Sequence, residues 1–317
     1  MPIVIDVDKL PCDGGRRRNV ELRRSVGPAQ PQSATRHFLS FSFPRKSSFG
    51  ILGGSDNRTA ELSGTLTMPT KTPTPSDFPS QLTVTVSPAA SASPAPNILL
   101  LLHGLGDSAA AFTKFGQAIN LPETTVVTVQ GTAPLPFDLG GFHWGDDISF
   151  DSATGAIDMD AGLTRATKTL VTDVVRDTLV RKCGYALREI MILGFGQGGM
   201  AGLAVARELA QKSKEGHETG PLSGVISIGA PYSLSGSRVG DKNRSPVLLV
   251  AGRDSVAVSD EAVRRTKQVF EFVEVSRYAR KGDGMPSSRE EMLPVMQFFA
   301  RRLRSRQGVP EGSVEIG

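Results

Sequence analysis

The sequence predicts a doubly wound α/β fold: one domain over residues 79–305 with a mostly parallel sheet, a disordered basic tail over 1–78, and a short flexible C-terminus, 306–317. Three observations predict it. The apolar runs Leu-Leu-Leu-Leu at 99–102 and Val-Leu-Leu-Val at 247–250 suit strands covered on both faces. Strand-like runs alternate with helical stretches, which implies right-handed crossovers. The segment Ile-Met-Ile-Leu-Gly-Phe-Gly-Gln-Gly-Gly-Met at 190–200 passes from a buried strand through a glycine-rich turn into a helix.

Residues 1–78 lack sustained periodicity and are broken by Gly, Pro and Ser. The alternation Gln-Leu-Thr-Val-Thr-Val at 81–86 reads as an edge strand, followed by a Pro/Ser/Ala connection. Strands are then expected at 98–102, 125–130, 189–194, 224–228, 246–251 and 270–276. Helices are expected at 109–119, 160–182, 199–212, 259–268 and 289–304. Ligands in such sheets bind beyond the carboxyl ends of the strands, so the loops after residues 102, 194, 228 and 251 are expected to be neighbours.

Composition narrows the function classes. Of 36 Lys and Arg, 10 precede Met68, as do 6 of 32 acids. Residues 1–67 therefore carry 10 minus 6, or +4, and residues 68–317 carry 26 minus 26, or zero. A neutral body gives no electrostatic reason to expect nucleic acid or an anionic membrane as partner. The two cysteines, Cys12 and Cys183, suggest neither a disulfide framework nor a thiolate metal site, and favour a reducing, cytoplasmic setting. No apolar run approaches the length of a membrane span. No metal-binding pattern is present, and neither a metal nor another cofactor is expected.

Two chemistries can be written on the glycine-rich turn. Gly194, Gly196 and Gly199 form a G-x-G-x-x-G of the dinucleotide type; alternatively, Gly194-Phe-Gly196-Gln-Gly198 is a G-x-S-x-G nucleophile elbow with glycine in place of serine. A dinucleotide fingerprint usually opens the first βαβ unit and is answered by an acid at the end of the next strand. Here earlier strands precede it, and the following strand ends in Gly229-Ala-Pro. The elbow reading finds more support. After the 98–102 strand comes His103-Gly104-Leu105-Gly106-Asp107-Ser108, a turn whose backbone N–H groups could face an oxyanion, and Asp254 follows a later strand.

In these blocks the chain resembles the acyl-protein thioesterase and carboxylesterase family of small α/β-hydrolases over about residues 97–304. The family pattern His-Gly-Leu-Gly-Asp-Ser is matched at 103–108, and Gly-Phe-Ser-Gln-Gly-Gly is matched at 194–199 except at Gly196. A third block, Gly-His followed by small polar residues and Glu-Glu-Leu, aligns without a gap to residues 284–292 and puts Met285 on the histidine. The resemblance implies Gly196 in the nucleophile slot, Met285 in the base slot and Asp254 as the retained acid. It also implies an oxyanion frame from the N–H groups of Leu105 and Gln197, with His103 and Gly104 in its turn. Trp144 falls on a family tryptophan near the acyl pocket.

A serine elbow needs Oγ to attack, an imidazole to take its proton and an Asp to fix the imidazole. The four histidines are 37, 103, 143 and 217, and none follows Asp254. The expectation is a pseudoenzyme: a hydrolase without turnover that binds an acyl or ester compound, or a protein partner, through an inherited cleft. Hydrolysis by a non-standard nucleophile such as Ser255, Ser287 or Ser288, and nucleotide binding, are the alternatives.

Overall fold

The computed structural model describes residues 71–90, 94–136, 139–150, 155, 157–211 and 219–306. Nine strands and five α-helices order these residues: β1 (Val84–Ser87), β2 (Asn97–Leu102), α1 (Ala109–Ile119), β3 (Thr124–Val129), β4 (Ala133–Pro134), β5 (Phe142–His143), α2 (Thr164–Thr169), β6 (Ile190–Phe195), α3 (Gln197–Leu209), β7 (Gly224–Ile228), β8 (Val247–Gly252), α4 (Asp260–Val269), β9 (Val273–Tyr278) and α5 (Arg289–Arg302). Seven strands form one sheet in the order β1-β3-β2-β6-β7-β8-β9. β1 is antiparallel to β3, and every other pair in this sheet is parallel.

The tetraleucine run explains the layering. Alternate side chains of a strand face opposite ways, so Leu100 and Leu102 join the core under α2 and α3, while Leu99 and Leu101 join the core under α1 and α5. All six residues of β2 are buried. Small residues let α3 approach the sheet: a Cβ on Gly202 would come within 2.8 Å of Ile192 Cγ2.

The helix expected over 160–182 is two kinds of helix. α2 passes directly into a π-helix, Leu170–Lys182. The wider turn shows in the Cys183 N–H, which donates to Thr178 O at 3.0 Å, and in Thr178 Oγ1, which donates to Asp173 O at 2.7 Å. The helix still buries Leu170, Val174, Val175 and Leu179.

The described residues begin within the expected tail. Residues 1–70 lie outside the described residues, but 71–78 are ordered. Phe78 is in the core, Asp77 Oδ2 accepts from the Thr74 N–H at 2.8 Å, and Lys182 Nζ donates to Asp77 O at 2.6 Å. A composition of Pro, Ser and Thr hid this anchoring, which depends on one buried ring and partners about a hundred residues away.

Register brings the strand ends together. Leu102 pairs with Gly194, Phe195 with Ile228, and Gly252 with Tyr278. The loops that follow β2, β6, β7 and β8 consequently open on one edge of the sheet.

Candidate functional site

Gly196 sits between β6 and α3 with φ 51° and ψ −123°, a conformation that costs a residue with a Cβ about 1–3 kcal/mol. Its N–H donates to Ile228 O at 2.8 Å, and its carbonyl accepts from Gly199 N at 2.9 Å. The neighbouring glycines are required by contact. A Cβ on Gly194 would lie 2.3 Å from Gly198 O, and one on Gly198 would lie 2.3 Å from His103 O. At Gly196 itself the nearest atom to such a Cβ is Met159 Sδ, at 3.9 Å. The turn thus demands glycine on either side of position 196 and leaves space for a side chain at 196.

The elbow opens into a cavity of about 440 Å³ whose wall includes Gly104, Leu105, Met159, Gly196, Asp254 and Asp283. Gln197 is the first residue of α3, so its N–H has no intrahelical acceptor. Among the described residues neither this N–H nor that of Leu105 has a hydrogen-bond partner. Both belong to the turns that border the cavity, and both are available to a ligand oxygen.

A buried network holds this frame from behind. His103 Nε2 accepts from the Gly131 N–H at 2.8 Å, so the proton is on Nδ1, which donates to Gly104 O at 2.7 Å. Burial pushes the His103 imidazole below its ordinary pKa, against the pull of the Gly104 carbonyl. His103 is a neutral brace of the turn that begins at Gly104. Trp144 Nε1 donates to His103 O at 2.8 Å, and the Trp144 N–H donates to Gln197 Oε1 at 2.7 Å. Gln197 Nε2 completes the network by donating to Met159 O at 3.1 Å. Gly106 and Asp107 exchange backbone bonds of 2.9 Å with Phe142, tying the Trp144 loop to the turn.

The structure puts Gly104, Leu105, Gly196 and Asp254 in one cavity wall, with His103, Gln197 and Trp144 buried behind it. Asp254 is exposed there; its Oδ1 accepts from the Gly282 N–H at 2.9 Å. This bond, reinforced by Lys281 and Arg253, holds its carboxyl below the usual range. Met285 is not in the wall. It packs against the apolar cluster that contains Val295 and Phe298, and its carbonyl accepts from Arg280 Nη2 at 3.0 Å.

Sequence reasoning missed Asp283. Its Oδ2 accepts from Ser255 Oγ at 2.7 Å, and its Oδ1 accepts from the Gly252 N–H at 3.0 Å. Ser255 Oγ also accepts from Val258 N at 2.9 Å, which commits the hydroxyl to its own turn. Tyr278 OH pins the Asp283 loop by accepting from Gly284 N at 2.8 Å. No local pattern announces a contact between residues 28 positions apart.

The arrangement offers an apolar cleft with two N–H donors for a carbonyl oxygen. Among the described residues no histidine lines it. His143 is buried beside the network, with a pKa lowered by burial and by Arg165, and His37 and His217 lie outside the described residues. No group of His, Cys, Asp and Glu among the described residues could hold a metal. Likewise, no described helix is long and apolar enough to cross a membrane.

Comparison with known proteins shows the family and the fold. The profile of the phospholipase/carboxylesterase family matches residues 83–302. An uncharacterised hydrolase of Schizosaccharomyces pombe is 28% identical over 226 residues, covering 69% of this chain and 89% of its own length. Another, from Mycosarcoma maydis, is 38% identical over 137 residues, 42% of this chain and 48% of its own. The esterase PE8 has a similar fold, with a TM-score of 0.56 and 21% identity over 70% of this chain and 99% of that one. A Bacillus cereus carboxylesterase follows at 0.50, with 16% identity over 71% and 96%. The profile match spans most of the described sheet and both turns of the cleft: the chain belongs to the phospholipase/carboxylesterase family and has the α/β-hydrolase fold.

Proposed function

We propose that this chain is a catalytically disabled carboxylesterase or acyl-protein thioesterase whose cleft binds an acyl compound. Gly196 carries the reading, because the elbow conformation is kept, with open space at Cβ, and there is no Oγ to attack. The serine route needs a nucleophile and a base on one carbonyl, and without both an acyl-enzyme cannot form. What remains is the pair of N–H donors of Leu105 and Gln197 above apolar walls, which suits a carbonyl oxygen and its acyl chain. The test is hydrolysis of a short-chain p-nitrophenyl ester by the whole chain, followed beside an acyl amide titration. Saturable amide binding without turnover supports the reading, and enzymatic turnover opposes it.

A second reading, hydrolysis by a non-standard nucleophile, is favoured by the Ser255 to Asp283 hydrogen bond in the cavity wall. Ser255 Oγ is already held by Val258 N, and among the described residues no imidazole lines the cavity to take its proton. Ester turnover lost in Ser255→Ala would favour this reading. The scarcity of cysteine agrees with a cytoplasmic setting, and the cleft mouth would equally admit an acylated segment of a protein partner.

A further inference from the structure

A second cavity, of about 350 Å³, shares no lining residue with the cleft. Its walls come from the chain entering β1 (Gln81), the turn after β3 (Gln130 and Thr132), Phe142 of β5, and the helical stretch that carries Thr169 and Asp173. Backbone bonds fix these walls. The Gln130 N–H donates to Thr83 O at 3.0 Å, the Gly131 N–H donates to His103 Nε2 at 2.8 Å, and Pro134 pairs with Phe142 across the β4–β5 ribbon. Thr169 ends α2 and Asp173 lies in the first turn of the π-helix, so the wall includes the junction where the helix widens. Such wide turns are rare and recur at functional sites.

The fold leaves the polar groups of this wall unused. Thr132 Oγ1 is buried and has no hydrogen-bond partner among the described residues, a cost that a bound polar group removes. Among the described residues, the side chains of Gln81, Gln130, Thr169 and Asp173 likewise make no hydrogen bond or ion pair.

Charge narrows what could use these groups. Arg165 and Asp173 are the charged members of the wall, one of each sign, so its formal charge is zero. Arg165 Nη2 is occupied by Gly145 O at 3.0 Å and by Asp146 O at 3.1 Å. Positions 165 and 173 are separated by on the order of 10 Å along the helix, too far for the ammonium and carboxylate of one amino acid to meet both. A simple anion would be repelled by Asp173, and an apolar ring would leave Thr132 and Asp173 without partners. A hydroxyl both donates and accepts, so several hydroxyls on one ring suit a wall that mixes an acceptor-only carboxylate with amides and hydroxyls. Phe142, half-buried, offers an apolar face to the C–H bonds of such a ring.

We propose that this cavity binds a neutral cyclic polyol of monosaccharide size, with Thr132 and Asp173 as its hydroxyl-binding groups. The assignment does not depend on what the cleft holds.

Four probes test it: D-glucose, D-galactose, D-mannose and myo-inositol, each titrated against the whole chain by ligand-detected NMR. Cyclohexanol, a ring of similar size with one hydroxyl, is titrated beside them. At least one polyol is expected to saturate with a Kd on the order of millimolar, and cyclohexanol to bind about tenfold more weakly or not at all. Thr132→Val, which keeps the shape of the side chain, and Asp173→Asn should each weaken that polyol by about tenfold, as the loss of one well-formed hydrogen bond does. Ser255→Ala, in the other cavity, should leave the polyol affinity unchanged. If Thr132→Val does not fold, Asp173→Asn decides. No saturation by any of the four polyols at about 50 mM would overturn the proposal, because a built site binds more tightly than that. Cyclohexanol binding as tight as that of the polyol, or polyol binding unchanged in the folded variants, would overturn it equally.

Discussion

Met159 Sδ stands 3.9 Å from the position that a Cβ would take on Gly196. A serine there meets no collision, only the backbone cost of φ 51°, about 1–3 kcal/mol, part of which is returned by the smaller entropy of the unfolded chain. Gly196→Ser is expected to fold, with a melting temperature within several degrees of the parent. Gly198→Ala is the opposite case, since its Cβ would lie 2.3 Å from His103 O and 2.4 Å from Leu102 O, both backbone atoms. It should lose more than about 3 kcal/mol or fail to fold, and thermal melts of the two variants side by side measure the contrast.

Acid should weaken the domain in a defined window. His103 and His143 have pKa values lowered in the folded state, chiefly by burial. The unfolded chain binds their protons near pH 6.5, while the folded chain does not. Stability is full above that value and falls as the pH drops towards the folded pKa values, by up to about 1.4 kcal/mol per pH unit for each histidine. Denaturant titrations between pH 8 and pH 5, on the order of the window set by that reference value, should show the decline. His103→Gln should flatten it and lower the plateau, because Gly131 N and Gly104 O lose their ring partner.

Trp144 is the chain's one tryptophan and is fully buried, so its fluorescence reports on the network that joins His103 and Gln197. Trp144→Phe removes the bond to His103 O and leaves that carbonyl buried, at a cost of about 1–3 kcal/mol. Urea denaturation followed by far-UV circular dichroism checks this. In the parent, an acyl amide that engages the Gln197 N–H should shift the emission of Trp144, whose own N–H donates to Gln197 Oε1.

The sequence made the sheet legible where burial repeats a pattern. β2 and β8 are buried on both faces and read as continuous apolar runs, and the elbow read from glycines that packing requires. The β4–β5 ribbon was not legible, because two residues per strand carry no period and its anchor is Phe142 on Gly106 and Asp107. The third block of the site shows a different limit. An ungapped alignment counts residues and therefore selects Met285. The path of the chain through Gly282, at φ 70°, and past Tyr278 OH instead brings Asp283 to the cavity.

That contact suggests where a nucleophile, acid and imidazole could be placed together. Positions 196, 255 and 283 share one cavity wall, and 255 and 283 are already joined by a 2.7 Å hydrogen bond. Gly196→Ser with Ser255→Asp and Asp283→His would supply nucleophile, acid and imidazole beside the N–H groups of Leu105 and Gln197. The triple variant is expected to label with a fluorophosphonate, whereas Gly196→Ser with Met285→His should label more slowly, because Met285 packs into the α5 core cluster. Labelling rates of the two folded variants separate the placements.

The central claim is that the native elbow supports no covalent catalysis. Its most direct measurement is intact mass after incubation of the whole native chain with an excess of fluorophosphonate, with Gly196→Ser carried in parallel. The expected result is an unmodified mass for the native chain throughout. A stoichiometric adduct on a serine lining the cavity, with ester turnover lost in step, would contradict it.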